Sequence, residues 1–312
     1  NVNAINNFRL DSVYGYRAED LSGFIDETHG RWTNVWATQA KSTIRALDEI
    51  AKASAIRSTV TYPSTGTGQR FRDVAALLKA GIGVRAVDLE FQGDWDMHAN
   101  MGTIENGWLS SYLADLAGSI ASFREDLGVL WSRVTVVTVT EFGRRVSENQ
   151  STGTEHGWGT SIFVAGGGVH GGKIHGRFPG LDDKQLKDGD LVVTADYRSL
   201  LTEILTRRAG ITVDGAAQVF PNFRPETLSV MKHLSETPLP ESFPKNVRDA
   251  LGNVSYDKDL LKFASPAAAA TNVPLPARTT FERSTTIGFC CPNLRRLAMI
   301  VARLRSPCFR AF

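Results

Sequence analysis

Hydrophobic residues recur at helical spacing in several segments of the chain. The clearest set is spaced three and four residues apart and predicts an amphipathic helix of about five turns from Trp108 to Leu127, ending near Gly128. Similar but weaker stripes predict further helices over residues 32–52, 70–81 and 195–210. Helical segments therefore extend over much of the chain up to residue 210.

Strand patterns fall between these helices. Alternating hydrophobic residues predict a strand over residues 84–91, and the β-branched run at 134–140 is typical of a buried parallel strand. Short strands are predicted at 161–167 and 191–194, and a hairpin at 171–181. Because strands and helices alternate, the sequence predicts a layered α/β fold with a mostly parallel sheet.

Composition and charge narrow the classes of partner. The chain has 312 residues, of which 42% are hydrophobic and 22% are charged, as is ordinary for a globular protein with a large core. A formal net charge of +2 gives no electrostatic reason to expect nucleic acid as a partner. No apolar run approaches the roughly 20 residues of a spanning helix, so we expect no membrane span.

The C-terminal region differs in composition from the rest. All three cysteines lie beyond residue 289, and residues 278–312 hold seven Arg and no Lys. We therefore predict an α/β domain over residues 1–233 and an irregular or non-native tail over residues 234–312. The alternative is a basic amphipathic helix near NLRRLAMIVARLR that rests on a membrane or a partner. Under the first interpretation, deleting residues 265–312 should leave the fold and any metal binding largely intact.

Acidic residues and a histidine follow the predicted strand at 84–91. In open α/β sheets, functional sites collect beyond the carboxyl ends of the strands. Asp94, Asp96 and His98 offer two carboxylates and an imidazole within five residues, a set that can bind Zn²⁺, Mn²⁺ or Mg²⁺. The alternative is a turn in which the aspartates accept backbone N–H groups and His98 caps a helix.

A second group of candidates follows the strand at 134–140. Glu141 lies at its carboxyl end and could bind a metal, while Arg144 could hold a phosphate or sulfate group. A glutamate paired with its neighbouring arginine is the alternative. His156 lies in the long glycine-rich loop that comes next. With the earlier acidic residues and histidine, it completes the distributed Asp/Glu/His pattern that a metallohydrolase requires.

Six ordered motifs carry a resemblance to a known family. They are QGDWDMHAN, VTVVTVTEFGR, GTEHGWG, GGGVHGGKIHGRFPGL, TADYRSLL and VFPNF, within about residues 60–225. In this order they resemble the exported bacterial proteins of domain-of-unknown-function family 1501. That family is grouped by similarity with the alkaline phosphatase and sulfatase superfamily. The resemblance therefore implies an alkaline phosphatase-like three-layer α/β sandwich with a mostly parallel central sheet.

The same resemblance implies a one- or two-metal site for cleaving phosphate or sulfate esters. By that resemblance Asp96 and His98, with Asp94 possible, match the loop that supplies one metal ion. His156 looks like the distal histidine common to such sites. These positions agree with the candidates that the residue types alone single out.

The sequence also departs from the superfamily pattern. Glu141 occupies the strand-end place where superfamily members usually carry an Asp followed by His, whereas Phe142 follows here. This departure removes a ligand expected for a second metal ion. By the same resemblance, we expect this chain to lack the family's glycine-rich opening segment, which would supply an Asp ligand and the Ser or Thr nucleophile. We therefore expect the fold without its opening strand.

Two function hypotheses from different classes result. The first is a divalent-metal-dependent hydrolase that takes a small anionic phosphate or sulfate ester, with Arg144 as a catalytic residue that holds the anion. The expected metal ligands are Asp94, Asp96, His98, Glu141 and His156. The second is a catalytically silent exported protein that binds or acts as a scaffold. The resemblance also implies a periplasmic or extracellular location, and no oligomeric state follows from the sequence.

Overall fold

The computed structural model describes residues 35–237 except residue 92, together with residues 23, 27, 241–242 and 244–245 and a strand at 298–304. The helices with described bounds are α1 (Val35–Ser54), α2 (Gly66–Ala80), α3 (Trp108–Leu127), α4 (Tyr197–Arg207) and α5 (Val213–Val219). The strands are β1 (Ala86–Phe91), β2 (Val134–Thr140), β3 (Gly143–Arg144), β4 (His156–Gly157), β5 (Val164–Gly166) and β6 (Ala298–Leu304).

The four predicted helices are confirmed, and the ends of two of them have clear local causes. The Thr65 hydroxyl accepts the Gly68 N–H at 3.1 Å and begins α2, which ends at Gly81 in the left-handed conformation with φ 68°. The Asp196 carboxylate accepts the Arg198 N–H at 2.8 Å and begins α4 in the same way. Among the helices of the described ranges, none is both long enough and apolar enough to cross a membrane.

The strands form two sheets. The larger sheet has the order β1, β6, β2, β5, in which β6 runs parallel to both of its neighbours and β5 runs antiparallel to β2. The smaller sheet is the antiparallel pair β3 and β4, which places Arg144 directly opposite His156. The pairing of β3 with β4 therefore brings two of the predicted site residues onto neighbouring strands.

The predicted alkaline phosphatase-like sandwich with a large, mostly parallel central sheet is wrong. In the described part of the chain, the larger sheet is a small mixed one and the other is a two-stranded antiparallel pair. A parallel neighbour requires a crossover connection, which is usually a helix. Residues 141–163 contain no helix, so β5 returns beside β2 in the opposite direction.

The strand predicted at 191–194 and the hairpin predicted at 171–181 are also wrong. Both segments are irregular in the structure. A β-branched run forms a strand only where a neighbouring strand offers a ladder of hydrogen bonds. Leu191 instead packs closely against Gly159, at the start of the segment that leads to β5.

Strand β2 is held between two hydrophobic cores. Val134 and Val136 pack with Phe71 of α2 and Phe123 of α3 on one face. Val137 packs on the other face, in the cluster that contains residues of α4 and α5. All five side chains are buried. Because both faces of β2 are covered, the point at which the chain leaves its carboxyl end toward β3 is fixed by packing.

Strand β6 lies inside the region that composition assigns to an irregular or non-native tail. It pairs with Ala86–Phe91 on one side and with Val134–Thr140 on the other. The division of the chain at residues 233 and 234 stays a prediction. The position of β6 nevertheless leads to the opposite expectation for the deletion of residues 265–312.

Deleting residues 265–312 should destabilise the protein strongly. The deletion removes the strand between β1 and β2 and leaves two strand edges unpaired, and each lost backbone hydrogen bond costs about 0.5–1.5 kcal/mol. Urea unfolding followed by circular dichroism should show a lower midpoint or no cooperative transition. Deleting residues 305–312 alone keeps β6 and is the control. A 265–312 deletion that unfolds like the full chain would contradict this account of β6.

Candidate metal centre

Three side chains from two separate segments of the chain bring their donor atoms together. Asp96 and His98 lie in the β1–α3 loop (residues 93–107), and His156 begins β4. Their donor atoms all lie within 4.8 Å of one another. The Nε2 atoms of His98 and His156 lie 2.9 and 2.6 Å from Asp96 Oδ1, and 3.3 Å from each other. Ligands at about 2.0–2.2 Å from one ion are roughly 3 Å apart, so this spacing fits a single divalent cation.

The three side chains differ in exposure. The Asp96 side chain is 16% exposed, whereas those of His98 and His156 are 42% and 46% exposed. The carboxylate therefore forms the inner side of the group, and the imidazoles form its solvent side. An ion held by these three donors would keep positions open toward solvent, as catalytic metal sites do.

A turn in the β1–α3 loop presents Asp96 and His98. The Asp94 carboxylate accepts the Asp96 N–H at 3.1 Å, and the Asp96 carbonyl accepts the His98 N–H at 2.9 Å. Tyr112 of α3 contacts the Asp94 backbone through its hydroxyl. Asp94 therefore has the turn role that the sequence left open as an alternative, while Asp96 and His98 contribute donor atoms.

Glycines let the second loop approach the first. A Cβ atom at Gly153 would overlap backbone atoms of His98 and Ala99, and one at Gly157 would lie 2.7 Å from the Arg144 carbonyl carbon. The β3–β4 loop (residues 145–155) can thus lie directly on the backbone that carries His98. This close approach sets the separation of the two histidine rings.

Arg144 links the two loops. Its guanidinium donates to the carbonyls of Trp95 and Thr154, and its Nη2 lies 3.3 Å from Asp96 Oδ1. Trp95 belongs to the β1–α3 loop and Thr154 to the β3–β4 loop. The residue that the sequence assigned to anion binding therefore makes its described contacts within the protein, where it holds both halves of the site.

Phe142 forms a stack with His156. The two rings lie 4.0 Å apart between centroids with planes inclined by 14°, and the Arg144 guanidinium lies 4.9 Å from the Phe142 centroid. The sequence comparison treated Phe142 as the loss of a metal ligand. In the structure it supports the ring of a proposed ligand, a role that its position beside a strand end does not signal.

Glu155 and Asn149 complete the group. Glu155 Oε2 lies 2.8 Å from His98 Nδ1, and the Asn149 amide donates to Glu155 Oε1, also at 2.8 Å. The sequence did not indicate that Glu155 pairs with His98, and it did not single out Asn149. The available signal was the Asn-x-x-x-Gly spacing, because Asn149 Oδ1 accepts the Gly153 N–H at 3.0 Å.

The charges at the site keep both carboxylates ionised. Burial raises the pKa of Asp96, but the hydrogen bond and charge of His156, with the charges of His98 and Arg144, outweigh it and hold this pKa below its ordinary value. The hydrogen bond from Asn149 lowers the pKa of Glu155, and His98 adds to the effect. Burial lowers the pKa of Arg144, and the Asp96 carboxylate opposes that effect. At neutral pH the site thus offers an anionic oxygen beside two imidazoles.

Glu141 and Asp94 lie outside the group of three donors. Glu141 is exposed just after β2, and the next residue, Phe142, is the one that contacts His156. Asp94 uses its carboxylate in the turn that precedes His98. Of the five ligands expected from sequence, the structure therefore brings Asp96, His98 and His156 together.

Comparison with known proteins identifies a family that includes the residues of this site. A family model described as "Protein of unknown function (DUF1501)" matches residues 38–216, a range that contains the whole site from Asp94 to His156. Neither the curated proteins nor the solved structures include a significant match to this chain. The chemistry of the site has to be argued from its own residues.

Replacing Gly153 with alanine should push the two loops apart. The added Cβ meets backbone at His98 rather than a movable side chain, so we expect about 1–3 kcal/mol of destabilisation and roughly tenfold weaker Zn²⁺ binding. Gly171→Ala is the control, because nothing lies within 4 Å of its added Cβ. Urea unfolding and Zn²⁺ titration measure the two effects. Equal Zn²⁺ affinity in both variants would contradict the role given to the close approach.

Replacing Phe142 with leucine should weaken metal binding without unfolding the protein. Stacked aromatic pairs contribute about 0.5–1.5 kcal/mol beyond the area they bury, which corresponds to roughly 3–10-fold in affinity if the stack holds His156 in its binding position. Phe178→Leu is the control, because Phe178 is 67% exposed. Isothermal titration with Zn²⁺ separates the variants. Identical affinities would show that the stack does not position His156.

Proposed function

The chain belongs to the DUF1501 family, a family described only as proteins of unknown function, and from the site itself we propose that it is a metal-dependent hydrolase of phosphate or sulfate esters. The observation that carries this proposal is the convergence of Asp96, His98 and His156, whose donor atoms lie within 4.8 Å. The substrate in this proposal is a small anionic ester.

The donor set favours some ions over others. Two imidazole nitrogens and one carboxylate oxygen suit Zn²⁺ and Mn²⁺, whereas Mg²⁺ prefers oxygen ligands and keeps several waters. We therefore place Zn²⁺ and Mn²⁺ before Mg²⁺ among the three candidates. Three protein ligands with open positions on the solvent side correspond to a catalytic rather than a closed structural site.

A bound divalent ion would withdraw electron density from the ester and make water at the site more acidic. Hydrolysis forms a bond from a water oxygen to phosphorus or sulfur, breaks the ester bond and leaves a proton on the released alcohol. Within the described residues, no Ser or Thr hydroxyl bonds to the three metal-binding side chains, so water is the nucleophile in this proposal. Asp96 and the two imidazoles orient the reacting groups by fixing the ion.

Arg144 contributes in two ways to the proposed reaction. Its contacts with Trp95, Thr154 and Asp96 hold the segments that carry the proposed ligands in position relative to one another. Its positive charge beside Asp96 also favours an anionic ester over a neutral one. The sequence-based role of Arg144 as a direct clamp on the anion stays a prediction.

Two broader expectations belong to the same proposal. A relationship to the alkaline phosphatase and sulfatase superfamily is proposed from the family resemblance alone, and the described residues do not form the large parallel sheet expected from it. A periplasmic or extracellular setting is likewise proposed from the family resemblance.

A catalytically silent exported protein that binds a partner or acts as a scaffold is the second candidate. The observation that favours it is the use of the Arg144 guanidinium in contacts within the protein, because an anion clamp needs donors directed at the substrate. A silent protein need not hold a metal ion, whereas the hydrolase requires one. Only the hydrolase requires turnover of an ester, and activity assays on metal-loaded protein therefore separate them.

Replacing His156 with alanine should remove metal binding and any hydrolysis together. Loss of one of three ligands should lower Zn²⁺ or Mn²⁺ affinity by more than the 10- to 100-fold typical of losing a partner that only orients a ligand. Metal content after dialysis and hydrolysis of an aryl phosphate and an aryl sulfate, with Zn²⁺, Mn²⁺ and Mg²⁺ added separately, are the measurements.

The matched control is His170→Ala, which removes a histidine outside the group of three. This variant should keep the metal content of the wild type. Metal binding without hydrolysis in the wild type would favour the silent protein over the hydrolase. Unchanged metal content in His156→Ala would remove His156 from the site.

A further inference from the structure

We propose that Glu155 is a positioning residue that orients His98 through Nδ1, so that Nε2 faces the metal ion. The inference rests on the metal centre of the proposed function and assigns a role to a carboxylate that is not itself among the three ligands. It predicts that an exposed glutamate controls metal affinity without touching the ion.

The geometry of the His98 ring supports this role. Its two nitrogens face different carboxylates, with Nδ1 at 2.8 Å from Glu155 Oε2 and Nε2 at 2.9 Å from Asp96 Oδ1. A metal-binding histidine usually donates its other ring N–H to a carboxylate, carbonyl or water, and that bond fixes the tautomer and the orientation of the ring. With Nδ1–H donated to Glu155, the lone pair available to a metal is on Nε2.

Glu155 cannot take the place of a ligand in this arrangement. It contacts the ring on the Nδ1 side, whereas the other two donors, Asp96 Oδ1 and His156 Nε2, lie near Nε2. The ring of His98 therefore stands between the Glu155 carboxylate and the metal position. An effect of Glu155 on the metal has to pass through His98.

Asn149 holds the Glu155 carboxylate in place beside His98. The Glu155 side chain is 54% exposed, so a second hydrogen bond is needed to fix its position. The Asn149 amide nitrogen lies 2.8 Å both from Glu155 Oε1 and from the His98 carbonyl oxygen. Asn149 Oδ1 accepts N–H groups from Ser151 and Gly153. One amide thus fixes the carboxylate relative to the backbone of the histidine it orients.

Both oxygens of Glu155 are used as acceptors. Oε1 accepts from Asn149 and Oε2 accepts from His98 Nδ1. A glutamine has the same shape but offers one acceptor and one NH₂ donor. In Glu155→Gln, the NH₂ group would face an N–H donor at one of the two contacts. The substitution therefore removes one acceptor and keeps the volume of the side chain.

The test compares Glu155→Gln with wild type by titration with Zn²⁺ alone as the probe. We expect Zn²⁺ affinity to fall 10- to 100-fold, the range for loss of a partner that orients a ligand. The control is Glu148→Gln, which makes the same change at another exposed glutamate of the β3–β4 loop and should bind Zn²⁺ like the wild type. Thermal unfolding of both variants checks that the chain folds.

A spectroscopic readout separates positioning from general stability. In Zn²⁺-loaded protein with ¹⁵N-labelled histidine, the His98 Nδ1–H signal should be protected from exchange in wild type and in Glu148→Gln, and lost or shifted in Glu155→Gln. Equal Zn²⁺ affinity and an unchanged Nδ1–H signal in Glu155→Gln would overturn the inference alone. Wild-type protein that binds no Zn²⁺ would overturn the metal centre, and with it the proposed function.

Discussion

The guanidinium of Arg144 joins the two loops that carry the candidate metal centre. It bonds to the Trp95 carbonyl on one side and the Thr154 carbonyl on the other, and it lies beside Asp96. Hydrogen bonds from a charged donor contribute about 1.5–3 kcal/mol each, which is enough to hold irregular backbone in one arrangement. Backbone hydrogen bonds also join the two loops, from the Thr154 N–H to the Met97 carbonyl at 3.2 Å and from the Met101 N–H to the Thr152 carbonyl at 2.9 Å, and Arg144 adds a charged side-chain link beside Asp96.

Further contacts hold the arrangement together with Arg144. Gly153 allows the backbones of the two loops to touch, Phe142 supports one imidazole and Glu155 supports the other. Each imidazole is therefore held at a point other than the nitrogen that faces Asp96. A site arranged in this way loses little conformational freedom when an ion binds, because the ligands already stand in place.

The sequence predicted more of the elements than of their arrangement. The predicted helices and the strands at β1, β2 and β5 are confirmed because their hydrophobic spacing reflects burial in local cores. The large, mostly parallel central sheet was wrong, because the described sheet is a small mixed one in which a loop without a helix brings β5 back antiparallel to β2. No local pattern in the sequence predicted that β6 would pair between β1 and β2.

The residues of the site were also predicted only in part. Asp96 and His98 were predictable because carboxylates and imidazoles directly after a strand are recognisable by type, and His156 because it completes that set of residue types from the glycine-rich loop. Glu141 was expected among them because it directly follows the strand at 134–140, yet it is exposed there and Phe142 is the residue that contacts His156. Asn149 and Glu155 act across 51 and 57 residues of sequence on His98, and such contacts follow only from the folded geometry.

X-ray absorption spectroscopy of Zn²⁺-loaded protein tests the central claim most directly, because it counts the ligands of the ion without requiring a substrate. The account predicts one ion per chain with two imidazole nitrogens and at least one oxygen at about 2.0–2.2 Å. His156→Ala treated in the same way should retain little Zn²⁺, and any ion that stays bound should show the scattering of one imidazole ring. An ion bound by sulfur, or by fewer than two imidazoles in the wild type, would contradict the assignment of Asp96, His98 and His156 as its ligands.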